Sequence, residues 1–458
     1  MPVLKTLEAY FTPFRRNIVG INHCFDTPEG CRPLIYADWT AAGRAYAPIE
    51  QHLQTHILPY FANTHTETTL TGTRMTKAYE QAKATIKTHV NANDEDALVF
   101  CGSGMTAAVN KLQRILGIRI PSRLSEYTGP IDLPEKNKPL VLVTHMEHHS
   151  NYISWLETIA TVEIIRPADD GTPDLDHLHD LLHQYRHRKT KIAAITACSN
   201  VTGIETPYHA IAAILHEHDG LCFVDFAASA PYVKMDMHPQ NPDTHLDAIY
   251  FSGHKFLGGP GTPGILIFNK RLYKNNTPDH PGGGTILYSN PWKEVDYYDD
   301  IETREDGGTP PILQGIKAAL CIRLKEEMTT NRIRQRETEL LTGIFPRLNT
   351  IRNITILEEQ NQNRLGIVSF KTKHTHHDTI VRSLNDRFGI QTRGGCNCAG
   401  PYGHYLLNID KAQSHTIREK LRTGDTQSKP GWVRLSLHPT MTDKELDYIA
   451  DAVASVTR

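Results

Sequence analysis

The chain has 458 residues, 39% of them hydrophobic and 22% charged, with a net charge of −2, the make-up of a globular protein with room for about two or three packed units. A near-neutral balance offers a polyanion nothing to bind, so no nucleic-acid partner is expected, and no run is apolar enough to span a membrane. The eight cysteines are scattered except for Cys396 and Cys398, which predicts reduced thiols in a cytoplasmic compartment rather than a disulfide framework; the first residues carry Glu8 and no secretory apolar segment, so no leader is expected.

Residues 1–33 read as a helix and an irregular entry segment. Leu34-Ile-Tyr-Ala-Asp38 is a predicted strand, followed by Trp39-Thr-Ala-Ala-Gly-Arg44. Pro48 sits where a helix opens, since its missing N–H is not needed there. A polar stretch holds Asn63, His65 and Arg74, and Thr76 is predicted to cap a helix running to about Val90. Ala97–Phe100 is a strand that runs straight into Cys101-Gly-Ser-Gly-Met-Thr106 and an apolar helix. A strand, a glycine turn and a helix N-terminus point backbone N–H groups of Gly104, Met105 and Thr106 at an anion, with the helix dipole behind them. A dinucleotide fingerprint needs a third glycine that is absent here; a phosphate monoester suits the turn better.

Residues 118–138 are polar and read as an exposed loop. Leu140–Thr144 is a buried strand leading to Met146-Glu-His-His-Ser-Asn151. His145, His148 and His149 lie close together, but their spacing is not that of a metal-ligand set, and no metal is assigned. A strand at 162–165, a helix at 174–188, a strand at 191–197, a helix from Pro207 to His218 and a strand Leu221–Asp225 alternate as in a parallel sheet. Cys198-Ser-Asn-Val-Thr-Gly-Ile-Glu-Thr-Pro207 joins two of them. Asp225 ends its strand at the carboxyl edge, where open α/β sheets bind ligands.

Asp247–Phe251 and Ile265–Phe268 read as buried strands with Ser252-Gly-His-Lys-Phe-Leu-Gly-Gly-Pro-Gly-Thr-Pro-Gly264 between them. A lysine on so tight a loop, Lys255, loses water, and burial lowers its pKa; a neutral amine attacks carbonyl groups. Arg304-Glu-Asp-Gly-Gly-Thr-Pro310 precedes a long helical pattern over 312–348. Beyond it come a strand 365–370, a helix 377–388 and a helix 441–455 opened by the capping box Thr442-Asp-Lys-Glu445. Between these lie Arg393-Gly-Gly-Cys-Asn-Cys-Ala-Gly-Pro401 and Trp432-Val-Arg-Leu-Ser-Leu-His438.

These segments, in this order over about residues 34–458, resemble the motifs of the class V aminotransferase and cysteine desulfurase family, which includes selenocysteine lyase-like enzymes. The resemblance implies a fold-type-I, pyridoxal 5'-phosphate (PLP)-dependent transferase fold of the α/β class: an N-terminal segment 1–33, a large domain 34–310 with a mostly parallel seven-stranded sheet, a linking helix 311–349 and a smaller C-terminal α/β domain 350–458. It implies that Lys255 forms the Schiff base, that His148 stacks on the pyridine ring with His149 a bystander, that Asp225 holds the ring nitrogen and that Asn200 holds the phenolic oxygen. The phosphate falls to Gly104, Met105 and Thr106, with Ser252 and His254. Thr309 reaches the phosphate of the neighbouring subunit, so an obligate homodimer with shared sites is implied. The substrate, a small amino acid, falls to Asn63, Arg393 and Arg434, with Arg434 on the α-carboxylate.

Cys398 occupies the position of the desulfurase nucleophile, which implies removal of sulfur or selenium from L-cysteine or L-selenocysteine to give alanine, and a sulfur-acceptor protein as a further partner. Two departures keep an alternative open. Cys396 stands beside Cys398, and Ala228 occupies a position where many relatives carry glutamine, with Ser229 as a substitute. The alternative is another class V reaction, by an aminotransferase, epimerase or β-lyase, with Cys398 not catalytic. A non-catalytic scaffold is the third reading, and the intact Lys255 and Asp225 oppose it.

Overall fold

The computed structural model describes residues 6–64, 66–130 and 133–458; His65, singled out in the sequence, lies outside them. Seven strands form the main sheet: β1 (Asp96–Cys101), β2 (Leu140–Thr144), β3 (Thr161–Ile165), β4 (Lys191–Thr196), β5 (Leu221–Asp225), β6 (Ala248–Ser252) and β7 (Gly264–Asn269). Their order is β1-β7-β6-β5-β4-β2-β3. β7 runs antiparallel to both its neighbours, and the other pairings are parallel. This is the mostly parallel α/β sheet expected.

Every residue of β1, β2, β4 and β6 is buried. Runs such as Leu140-Val-Leu-Val carry no polar alternation because both faces are covered. Val99, Val141, Phe223, Tyr250 and Leu266 pack on one face with Trp155 and with Met105, Val109 and Leu112 of a helix. Leu98, Leu140, Ile195, Val224 and Ile249 pack on the other. Each such side chain contributes about 1.5–3 kcal/mol on burial.

A second sheet joins β8 (Ile354–Ile356), β9 (Ile367–Thr372), β10 (Arg393–Gly395) and β11 (Trp432–Ser436) in the order β8-β9-β11-β10, all antiparallel. The entry segment is tied to this part of the chain. Ile35–Tyr36 pairs in parallel with Ile390–Gln391, and Asp38 bridges to Ser436. The helix Asp443–Val456 opens with both halves of the Thr442/Glu445 capping box in place. Among the described residues no helix is long and apolar enough to cross a membrane.

Three local expectations are corrected. Helix α1 (Leu70–His89) begins at Thr69, whose hydroxyl accepts from Gly72 N–H, so Thr76 lies inside the helix and not at its cap. Two threonines and a glycine weaken the first turns, and packing of Thr66 against Gly72 holds them. The linking helix is two helices, Ile312–Met328 and Thr330–Asn349. Thr329 breaks the ladder between them at φ 55°. One half packs on α1 and the other on the helix Asp443–Val456, so the chain turns to serve two surfaces. The strand read over 34–38 is only the Ile35–Tyr36 pair.

The carboxyl ends of β2, β4, β5 and β6 and the start of β7 meet at one edge, with the lysine loop across them. Two glycines set how closely they meet. A Cβ on Gly264 would lie 2.1 Å from Gly104 O, and one on Gly43 would lie 1.9 Å from Phe256 O. Gly43 also donates its N–H to His254 O at 2.9 Å. Gly43→Ala is therefore expected to push the lysine loop off the entry segment and cost about 1–3 kcal/mol, read as a lower urea midpoint. An unchanged midpoint would contradict this packing.

Candidate functional site

A cavity of about 230 Å³ opens at that edge. Its base is Lys255, which ends a single 3₁₀ turn after β6. Burial lowers the Lys255 amine to about 8, opposed by the charge of Asp225. Asp225 is buried at the end of β5; desolvation raises it to about 6, while Ala227 N–H donates to its Oδ1 at 2.8 Å. At neutral pH Asp225 is therefore an anion held out of water, in the field of a lysine that titrates close to physiological pH.

One end of the cavity is built to take an anion. Helix α2 (Gly104–Ile115) starts here, and its N-cap Ser103 makes no side-chain capping bond. Met105 N–H donates to Ser252 Oγ at 2.8 Å, and the hydroxyls of Thr106 and Ser150 lie 2.7 Å apart. Gly104 has φ +60°, and a Cβ there would stand 2.8 Å from Ser252 Oγ and 3.4 Å from His254 Cε1. Hydroxyls, an imidazole and a helix N-terminus thus converge.

His148 caps helix α3 (His149–Leu156), its Nδ1 accepting from Ser150 N–H at 3.1 Å. Burial, then the charge of Lys255, lowers His148 to about 3, so it presents a neutral ring to the cavity. Asn200 donates from Nδ2 to Asn397 O at 2.8 Å, while its buried Oδ1 has no partner.

The other end carries two guanidinium groups on one carboxylate. Arg434 donates from Nη1 to Asn200 O at 3.0 Å and from Nη2 to Asp38 Oδ1 at 2.7 Å, and its buried Nε has no partner. Arg393 Nη2 lies 3.0 Å from Asp38 Oδ2. Two positive charges against one negative leave a single net charge, matched to one carboxylate. Cys398 lines the cavity as an exposed residue between buried Asn397 and Ala399, and Cys396 is half-buried; Asn397 and Cys398 have φ 50° and 58°.

The cavity thus brings together Lys255, His148, Cys398, Met105, Thr106, Asn200, Asp225, Ser252, His254, Arg393 and Arg434, with Gly104 behind Met105. It does not include Asn63, which is exposed and accepts from Thr64 N–H through its own side chain. Nor does it include Thr309, which is exposed in a separate cleft with Lys111, Arg114 and His280. Ala228 lines the cavity; Ser229 does not.

Sequence reasoning missed four groups. Asp38 pairs with both arginines. Buried Glu147 accepts from Thr144 N–H and Oγ1, Thr196 N–H and Asn151 Nδ2, and burial raises it to about 7. Asn151 Oδ1 in turn accepts from Trp155 Nε1 and Tyr250 OH. The signal was available: a glutamate and an asparagine four residues apart at the end of an apolar run need internal partners. His149, expected as a bystander, grips the cysteine loop. Its N–H donates to Cys398 O at 2.6 Å, and its Nε2 accepts from Gly400 N–H at 2.8 Å. The three neighbouring histidines diverge, since His145 packs edge-on against Tyr402 and Tyr405.

The family model described as Aminotransferase class-V matches residues 35–449. A protein of Halalkalibacterium halodurans named "Probable cysteine desulfurase" is 31% identical over 383 residues, 82% of this chain and 86% of that one. A protein of the same name from Staphylococcus epidermidis is 31% identical over 377 residues, 81% of this chain and 85% of its own. Among solved structures, the apo cysteine desulfurase of Thermococcus onnurineus NA1 superposes with a TM-score of 0.76 at 21% identity, covering 100% of this chain and 99% of that one. The Escherichia coli cysteine desulfurase CsdA gives 0.74 at 20% identity over 97% and 98%. At these identities the structural likeness speaks for the fold.

The lowered Lys255 amine is directly testable. A depressed base is neutral, and nucleophilic, at pH values above its pKa, so reductive methylation of Lys255 by formaldehyde should reach half its limiting rate near pH 8, against about 10.4 for an ordinary lysine. A profile identical to the surface lysines would contradict the dry site.

Proposed function

The chain belongs to the class-V aminotransferase family, and on that premise we propose that it is a PLP-dependent cysteine desulfurase. It removes sulfur from L-cysteine, or selenium from L-selenocysteine, as alanine forms. The observation that carries this reading is that Lys255, Asp225, Arg434 and Cys398 line one cavity.

The cavity fits the cofactor. Four buried atoms on its lining residues have no partner, Asn200 Oδ1, Arg434 Nε and both Oδ1 and Nδ2 of Asn397, and they mark a space for a polar occupant. The start of α2, with Ser252 and His254, suits a phosphate monoester; Asp225 suits a protonated ring nitrogen; His148 offers a ring face, and Asn200 Nδ2 a hydrogen for the phenolic oxygen. Bound there, PLP supplies a carbonyl carbon for amines and an electron sink. Lys255 is the amine that holds it, and afterwards the group that takes and returns a proton at the substrate carbon.

Arg434 holds the α-carboxylate and Arg393 shapes the same end. The Cys398 thiolate attacks the substrate sulfur. A sulfur–sulfur bond forms, the substrate carbon–sulfur bond breaks, and the carbon receives a proton. L-Cysteine and the Cys398 thiol thus become alanine and a Cys398 persulfide. A reducing thiol or a sulfur-acceptor protein then takes the terminal sulfur.

On the same reading residues 34–310 form the cofactor domain and 350–458 the small domain, a division supported by the two sheets. The active unit is a homodimer: Thr309 is exposed outside its own cavity, and the hairpin carrying Leu287, Tyr288 and Trp292 is exposed and apolar. Eight unpaired cysteines support a cytoplasmic setting. A second reading, another class V reaction with Cys398 not catalytic, rests on apolar Ala228 in the cavity wall.

Alanine release from L-cysteine separates the two. Cys398→Ser is expected to lose on the order of 100-fold or more in rate while still loading PLP; a wild-type rate in that variant would overturn the desulfurase reading. Arg434→Lys, which keeps the charge but loses the planar fork, is expected to raise KM about tenfold to 100-fold with the cofactor absorbance intact. An unchanged KM would remove Arg434 from the substrate site.

A further inference from the structure

We propose that His149 is a positioning residue that latches the cysteine loop to the cofactor side of the cavity and so fixes where the Cys398 thiol stands. The inference rests on the reading of Cys398 as the sulfur acceptor, and it assigns a role to the second histidine of the Glu-His-His segment.

His148 and His149 are neighbours with rings tilted by 55° and centroids 6.5 Å apart. Only the first faces the cavity. The second is bonded twice to the loop, on either side of Ala399: backbone to Cys398 O, ring to Gly400 N–H. The ring bond requires an unprotonated Nε2, hence a neutral imidazole with its proton on Nδ1.

Gly400 is the first residue of the short helix Gly400–Leu406, whose N-cap Ala399 provides no side-chain cap. Its N–H is a helix-terminal donor with no partner inside the helix, and the His149 ring supplies the missing acceptor from outside. The contact also explains the glycine: a Cβ at position 400 would lie 2.7 Å from His149 Nε2.

The loop needs such a hold. Asn397 and Cys398 are consecutive non-glycine residues in the left-handed region, at φ 50° and 58°, a conformation that persists only where surroundings impose it. The surroundings are two donors on successive carbonyls: Asn200 Nδ2 on Asn397 O at 2.8 Å, and His149 N–H on Cys398 O at 2.6 Å. Both donors come from segments that also line the cavity, at Asn200 and at His148. The carbonyls of Asn397 and Cys398 are therefore registered against the site, while the next residue, Ala399, packs in one cluster with Trp432 of the second sheet.

The test uses PLP-loaded full-length protein in a Cys396→Ser background, so that the labelled loop peptide reports Cys398 alone. His149→Ala and Gly400→Ala remove the ring bond from opposite sides. Each is expected to raise the rate of Cys398 alkylation by iodoacetamide about threefold to tenfold, the loss of one hydrogen bond. Each should also lower kcat for alanine release by a similar factor, with little change in KM. His149→Gln, whose amide oxygen can accept from Gly400 N–H, should restore most of both.

Unchanged alkylation in both alanine variants would overturn the latch, as would a failure of glutamine to rescue. Hydrogen exchange at residues 396–400 of Gly400→Ala covers the case in which His149→Ala does not fold: faster exchange supports the latch, wild-type exchange overturns it. Because alkylation does not depend on turnover, a latch that fails is distinguishable from a Cys398 that accepts no sulfur.

Discussion

A lysine and an aspartate kept from water at the edge of a parallel sheet are the constraint on which the rest of this structure depends. Burial drives Lys255 down to about 8 and Asp225 up to about 6, and each charge resists the shift of the other. Such a pair keeps its character only where the walls stay dry. The glycine contacts produce that dryness: Gly43 seats the entry segment on the backbone of the lysine loop, and Gly264 seats β7 against the start of α2. The Glu147–Asn151–Tyr250 network ties β2 and β6 together behind His148 without placing another charge in the cavity.

Around this pair the cavity is divided by charge. A helix N-terminus and hydroxyl groups take an anion at one end, and two guanidinium groups take another at the opposite end. Asp38 decides how much positive charge that second end presents, because it holds Arg434 and Arg393 together. A zwitterionic amino acid with one carboxylate suits the single net charge that remains. Cys398 enters from the side, on a loop whose carbonyls are held by Asn200 and His149. The site is therefore assembled from both sheets, and the entry segment with Asp38 is the piece that binds them.

Much of this was legible in the sequence, for physical reasons. The buried strands read as unbroken apolar runs, and polar residues that interrupt such runs at their carboxyl ends (Asp225, Asn200, His148) proved to line the cavity. The start of α1 was misplaced because its first turns carry two threonines and a glycine, and tertiary packing rather than propensity forms them. The break at Thr329 was invisible because the apolar period continues through it. The Asp38–arginine pairing and the His149 contacts join residues hundreds of positions apart, and no local pattern encodes them. Asn63 rests on resemblance alone and does not line the cavity, and Thr309, which resemblance assigns to the neighbouring subunit's phosphate, lies outside the cavity of its own chain.

Desulfuration here requires that sulfur reach Cys398 through a site organised by Lys255. The most direct measurement is mass spectrometry of the Cys398 peptide after a single turnover of PLP-loaded protein with L-cysteine. One added sulfur atom is expected on Cys398 in the wild type and none in Lys255→Ala. Alanine formed while Cys398 stays unmodified, with the sulfur released as free sulfide, would contradict it.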